Sequence, residues 1–194
     1  MSIHLLETIQ NNLHYPPLKK IDPNTQEVNV DAESGREHRF SQAAIPAVLI
    51  GLYNYSSDDT SAERILRGVT SSNWVSEIFG NNAGEVVQKV AAYSSTSYDE
   101  ALSKMNEISN EAVSVVRTEV KSSGSIMDVK NLLSNQVKDI LKYLPAALQM
   151  GRVVNEESLD DNTNKMEGPI SSLMHKISSA FSNPSNESEV NTKP

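Results

Sequence analysis

The sequence predicts an all-α fold: a compact multi-helical bundle of six to eight helices with a flexible C-terminal extension. Three observations carry this. Apolar residues recur at steps of three and four through most of the chain up to Gly151. Three capping patterns led by serine or threonine mark helix starts. Polar and apolar residues alternate only from Gln26 to Val30, which would make one short strand without a sequence partner.

The elements follow in order. Ser2 to Leu13 sets Ile3, Leu6, Ile9 and Leu13 at helical spacing, and Tyr15-Pro16-Pro17 ends it, because proline lacks the amide and clashes with the preceding turn. Lys19 to Gly35 is polar, with Asp22-Pro23-Asn24 as a turn, and a loop of about 17 residues is either functional or mobile. A second helix is predicted from near Arg36 to about Tyr55 through Ala43, Ala44, Ile45, Val48, Leu49 and Leu52. Apolar on all sides, it is the predicted centre of the core, with Pro46 inside it or at a kink. Thr60-Ser61-Ala62-Glu63, Ser97-Tyr98-Asp99-Glu100 and Ser125-Ile126-Met127-Asp128 fit the capping box, in which a hydroxyl and a carboxylate satisfy orphan amides. Between the first two, Ser72 to Phe79 reads as a short helix stopped by Gly80, with Trp74 as its core anchor. Gly84 to Tyr93 reads as another helix. Leu102, Met105, Ile108, Ala112, Val115 and Val116 form one long stripe, and Ile126, Val129, Leu133, Val137, Ile140 and Leu144 the next. The short turn Ser122-Ser123-Gly124 predicts antiparallel neighbours.

This gives a helical domain over residues 1–152. Residues 153–168 then read as an acidic linker, with Glu156, Glu157, Asp160, Asp161 and Glu167 against Lys165. Residues 169–181 read as an amphipathic helix, and 182–194 have the composition of a disordered tail.

Composition excludes several classes. There is no cysteine, so disulfides and Cys-based metal sites are impossible. The 25 acidic against 17 basic side chains, a net charge of −8, disfavour nucleic acid, whose binding comes from cations neutralising phosphates. The longest apolar run, Ala43 to Tyr53, spans 11 residues where a bilayer crossing needs roughly 20. The start Met1-Ser2-Ile3-His4-Leu5-Leu6-Glu7 lacks a signal-peptide pattern, and the expected compartment is the cytoplasm.

Candidate chemistry is sparse. Asp22, Asn24, Gln26, Val28, Val30 and Glu33 sit at the ligand positions of a calcium loop, but Glu27 replaces the turning glycine, so the segment reads as a polar loop. Glu107 and Glu111 lie one turn apart, with Glu100 and Glu119 in approximate register. No Glu-x-x-His exists to complete a di-metal bundle, and they read as a solvated face. His4, His14, His38 and His175 are scattered, and His38 is expected to pair with neighbouring charges in Arg36-Glu37-His38-Arg39. No nucleophile elbow, phosphate loop or dinucleotide fingerprint occurs. No catalytic residue, metal or cofactor is therefore assigned.

Two segments resemble each other, Ile45-Pro46-Ala47-Val48-Leu49-Ile50-Gly51 and Leu144-Pro145-Ala146-Ala147-Leu148-Gln149-Met150-Gly151. The first, extended through Ala62-Glu63-Arg64-Ile65-Leu66 to Ile78-Phe79-Gly80, resembles the YidB-like family of bacterial proteins over roughly residues 40–151. Tyr53-Asn54-Tyr55 is bulkier than that family's usual loop entry. The resemblance implies an all-helical fold with homeodomain-like parts and supplies no catalytic residues.

The functional expectation is a non-enzymatic protein-interaction module. Gly168-Pro169 suits a helix start, and Ile170, Leu173, Met174, Ile177 and Phe181 then share one face. The expected partner is protein, by self-association or through an apolar groove. Lys176 is the one basic residue of that segment, which disfavours an anionic membrane. The rival expectation is a hydrolase or metal-dependent enzyme whose acidic site is spread over several helices.

Overall fold

The computed structural model describes residues 4–22, 35–121 and 123–153, and none of these is in a strand. They form α1 (Leu5–Asn12), α2 (Arg36–Tyr55), α3 (Asp59–Arg67), α4 (Trp74–Phe79), α5 (Ala83–Ser94), α6 (Tyr98–Val120), α7 (Ile126–Leu141) and α8 (Met150–Val153). Single 3-10 turns cover Gly80–Asn82 and Ala146–Leu148.

The architecture follows from α2. Its residues are buried without a break from Phe40 to Leu52, and 3.6 residues per turn means that such a run faces protein on every side. α1, α4, α5, α6 and α7 all pack against it. The predicted central helix is thus the observed one, and its buried stretch begins earlier than the apolar run, taking in Ser41 and Gln42. Small residues admit the neighbours: a Cβ at Gly51 would collide with the Phe79 ring and come within 2.6 Å of Ile78 Cγ2. Pro46 lies inside the helix and cannot donate to the Gln42 carbonyl one turn earlier.

The remaining helices bury one stripe each. On α6 the stripe is Met105, Ile108, Ala112, Val113 and Val116, and on α7 it is Val129, Leu133, Gln136 and Ile140. α6 and α7 pack against each other. Trp74 is fully buried, donates through Nε1 to the Val69 carbonyl at 3.1 Å, and meets Tyr55 edge-on with ring centroids 6.0 Å apart.

Helix ends match the expected caps in part. Ser97 caps α6, accepting from the Glu100 amide, and Ser125 with Asp128 forms a complete box on α7. Thr60 is not a cap. Asp58, in extended conformation, accepts from the Ser61 amide at 2.9 Å and starts α3 two residues sooner, because its carboxylate is the stronger acceptor for the orphan amides. Gly80 ends α4 with φ 52°, as the glycine predicts. Gly68 ends α3 with φ 62°, and the Arg117 side chain lies against its bare Cα.

The likeness between residues 45–51 and 144–151 does not extend to structure. The first is the middle of α2. In the second, α7 has already ended, Pro145 precedes the 3-10 turn, and Gln149 takes φ 46°, so an isolated proline after a finished helix starts a turn instead of interrupting a helix. Val153, expected in the linker, ends α8. The expected strand at Gln26–Val30, the rest of the linker, the 169–181 helix and the tail lie outside the described residues, as do Ser122 and all of the calcium template after Asp22.

Leu49 is fully buried at the centre of this arrangement. Leu49→Ala should cost about 2–5 kcal/mol in denaturant unfolding. A loss below about 1 kcal/mol would contradict its placement in the close-packed centre.

Candidate functional site

The most elaborate polar arrangement among the described residues joins the segment after α1 to α2. α1 ends in a reversal where the His14 amide donates to the Asn11 carbonyl and the Tyr15 amide to the Gln10 carbonyl, with His14 left-handed at φ 58°. The chain then continues from Tyr15 to Asp22 without helix or strand and meets α2 at Gln42, which is fully buried. Its Oε1 accepts from the Lys19 amide at 2.8 Å, and its Nε2 donates to the Lys19 carbonyl at 3.0 Å and to the Tyr143 carbonyl at 2.7 Å. The Lys19 N–H can only donate, which fixes the orientation of the amide group.

Neighbouring contacts extend this pattern. Gln10 Oε1 accepts from the Leu18 amide at 3.1 Å, and the Ile21 amide donates to the Lys142 carbonyl at 2.8 Å. His38 departs from its expected pairing with charges: Nε2 lies 3.0 Å from the Pro17 carbonyl oxygen, so that nitrogen carries the proton. The packed segment swings the ring inward, and the buried environment favours a neutral acceptor over a charge. Gln136 on α7 repeats the device on α1, its Oε1 accepting from the Leu5 amide at 3.2 Å.

A second set of amides holds residues 71–75. Asn110 accepts from the Ser71 amide at 3.0 Å and donates to the Ser71 carbonyl at 2.8 Å, and Asn106 accepts from the Val75 amide at 2.9 Å. Glu77 accepts from Ser71 Oγ at 2.9 Å and pairs with Arg64 at 2.7 Å, and Arg64 lies 5.8 Å from the centroid of the Trp74 ring.

The acidic residues singled out in the sequence do not converge. Glu100 pairs with Lys104 at 2.9 Å and Glu111 accepts from Asn12 at 2.7 Å, while Glu107 and Glu119 are exposed. Elsewhere Asp59 pairs with Lys130, Glu63 with Arg67, Glu85 with Lys89 and Asp139 with Lys142. Among the described residues no group of three or more His, Asp or Glu is placed to hold a metal ion, and no helix is long and apolar enough to cross a membrane. Ile170, Leu173, Met174, Ile177 and Phe181 lie outside the described residues.

Perturbed titrations follow these contacts. The Ser61 amide holds Asp58 below the usual carboxylate range, the Ser125 amide does so for Asp128, Lys104 for Glu100 and Lys142 for Asp139. Tyr15 moves the other way. Burial, then the Glu107 and Glu37 carboxylates, push its phenol up to about 12.

The chain matches no protein-family model, no curated protein and no solved structure.

Sequence reading missed Gln10, Gln42, Gln136, Asn106 and Asn110. The one local signal was Ser41-Gln42 sitting directly before an all-apolar helix run, where any polar side chain needs an internal partner.

Gln42→Ala removes three hydrogen bonds, to the Lys19 amide and to the Lys19 and Tyr143 carbonyls, and should destabilise the fold by about 1–3 kcal/mol in urea unfolding. A change within experimental error would mean that water replaces the amide at no cost. The Tyr15 phenol has a folded pKa above its unfolded value, so its contribution to stability is full below about pH 10 and fades as pH rises toward about 12. Ultraviolet titration should show a late tyrosinate step that Tyr15→Phe removes. Ionisation of all six tyrosines together near pH 10 would contradict the assignment.

Proposed function

We propose that this chain is a non-enzymatic interaction protein of the bacterial cytoplasm, engaging a protein partner or a second copy of itself. The supporting observation is how the described polar side chains are used. Asp58 and Asp128 cap helices, Glu100 and others pair with neighbouring cations, and buried amides bind backbone, a use of polar groups that suits a scaffold.

The binding element in this reading is the amphipathic segment 169–181. Its five apolar residues offer about 7–15 kcal/mol gross at roughly 1.5–3 each. Fixing its backbone costs about 13–26 kcal/mol at roughly 1–2 per residue, so the segment needs a surface to dock on. The single Lys176 and the preceding acidic residues favour protein over anionic lipid as that surface. The YidB-like resemblance agrees with a helical scaffold of this kind and adds no catalytic group.

Replacing Leu173 and Ile177 together by Asp should abolish partner capture or shift the oligomeric state in light scattering, with the far-ultraviolet helical signal of the domain retained. Unchanged association and unchanged dye binding in that variant would overturn the role of this face.

A further inference from the structure

We propose that residues 15–22 are a releasable strap, and that the groove beneath them is a main-chain-reading site for an extended peptide with apolar residues three positions apart. This inference concerns a different surface from residues 169–181 and stands or falls independently of that reading.

The contacts that hold the strap define the ligand. Gln42 takes both the amide and the carbonyl of one residue, Lys19, as a neighbouring β-strand would. Gln10 takes the Leu18 amide, His38 the Pro17 carbonyl, and the Lys142 carbonyl the Ile21 amide. All of these atoms are main chain, so any extended segment can supply them. Side-chain identity enters at Leu18, which packs on the core, and at Ile21, which is half-buried. Between them Lys20 is exposed, and the Asp139 carboxylate nearby is already paired with Lys142 at 2.6 Å, so the groove reads the backbone there and not a side chain. Release exchanges these hydrogen bonds for bonds to water and uncovers the half-buried Tyr15, Leu18 and Ile21, whereas opening the helices around α2 would uncover fully buried side chains.

Two experiments on the full chain decide the matter. Lys19-Lys20 is a tryptic site inside the strap. Digestion of the native protein should cut there, while the nicked product keeps its helical circular dichroism and unfolds cooperatively, with a midpoint lowered no further than in Gln42→Ala. Cleavage there only at the rate of global unfolding would overturn release. In the second experiment the double variant Leu18→Ser/Ile21→Ser loosens the strap and leaves the groove intact. It should bind a labelled peptide of residues 15–22 saturably and at least ten-fold more tightly than the native protein does, and adding Gln42→Ala should abolish that binding. Absence of binding, with amide exchange showing positions 18, 19 and 21 open, would overturn the peptide site. Native-like protection of those amides in the double variant would overturn release. Should the double variant lose its helical signal, digestion of the native protein decides release, and native protein titrated with excess peptide decides the site: faster amide exchange at Leu18, Lys19 and Ile21 supports it, and an unchanged rate overturns it.

Discussion

The organising constraint is the encirclement of α2. A helix with protein on every side cannot send a polar group to water, so whatever polarity the sequence places on it must be answered from within. Ser41 Oγ answers by donating to the His38 carbonyl of its own helix at 3.1 Å. Gln42 answers by reaching out of the helix and fastening two distant stretches of backbone, at Lys19 and Tyr143. The position of the N-terminal segment and that of the chain after α7 are therefore both set by one side chain of the central helix.

The choice of amides has a physical reason. A primary amide carries a donor and an acceptor on one flat group, the complement of a peptide unit, and has no charge to desolvate. It can therefore stand in for secondary structure where the chain is irregular, as Gln42 does for Lys19 and Asn110 does for Ser71. Charged residues are placed differently. The Arg64–Glu77, Arg67–Glu63, Lys89–Glu85 and Lys130–Asp59 pairs all retain exposed side-chain surface, where such pairs contribute about 0–1 kcal/mol and are weakened by salt. Apolar burial supplies cohesion, amides supply register, and ion pairs trim the surface.

The helices were legible because their information is local. Periodicity in α2, α6 and α7 and the caps at Ser97 and Ser125 depend on residues within a few turns of one another. Errors arose where two local solutions competed, as Asp58 did with Thr60, or where a short pattern recurred in a different setting, as at Pro46 and Pro145. The polar clamp was illegible for another reason. Nothing near Gln42 in the chain indicates Lys19 or Tyr143, and nothing near His38 indicates Pro17, since these partnerships exist only after the helices have packed. A sequence shows that a buried amide needs partners without showing which ones.

The bond from the Leu5 amide to Gln136 spans 131 positions of sequence, and that from Gln42 to the Tyr143 carbonyl spans 101. On the ribosome this imposes an order of events. The first helix and the segment after it are made first, and their last bonds close only when α7 and the turn beyond it have been synthesised, at Leu5 with Gln136 and at Ile21 with the Lys142 carbonyl. Loop closure over such distances is entropically costly and returns nothing until both ends meet. Meanwhile α2, whose residues from Phe40 to Leu52 are all destined for burial, waits for the helices that will enclose it. The nascent chain therefore passes through an interval in which its future centre is its most exposed and most adhesive part, and the length of that interval is set by the rate of translation from Tyr55 to Tyr143.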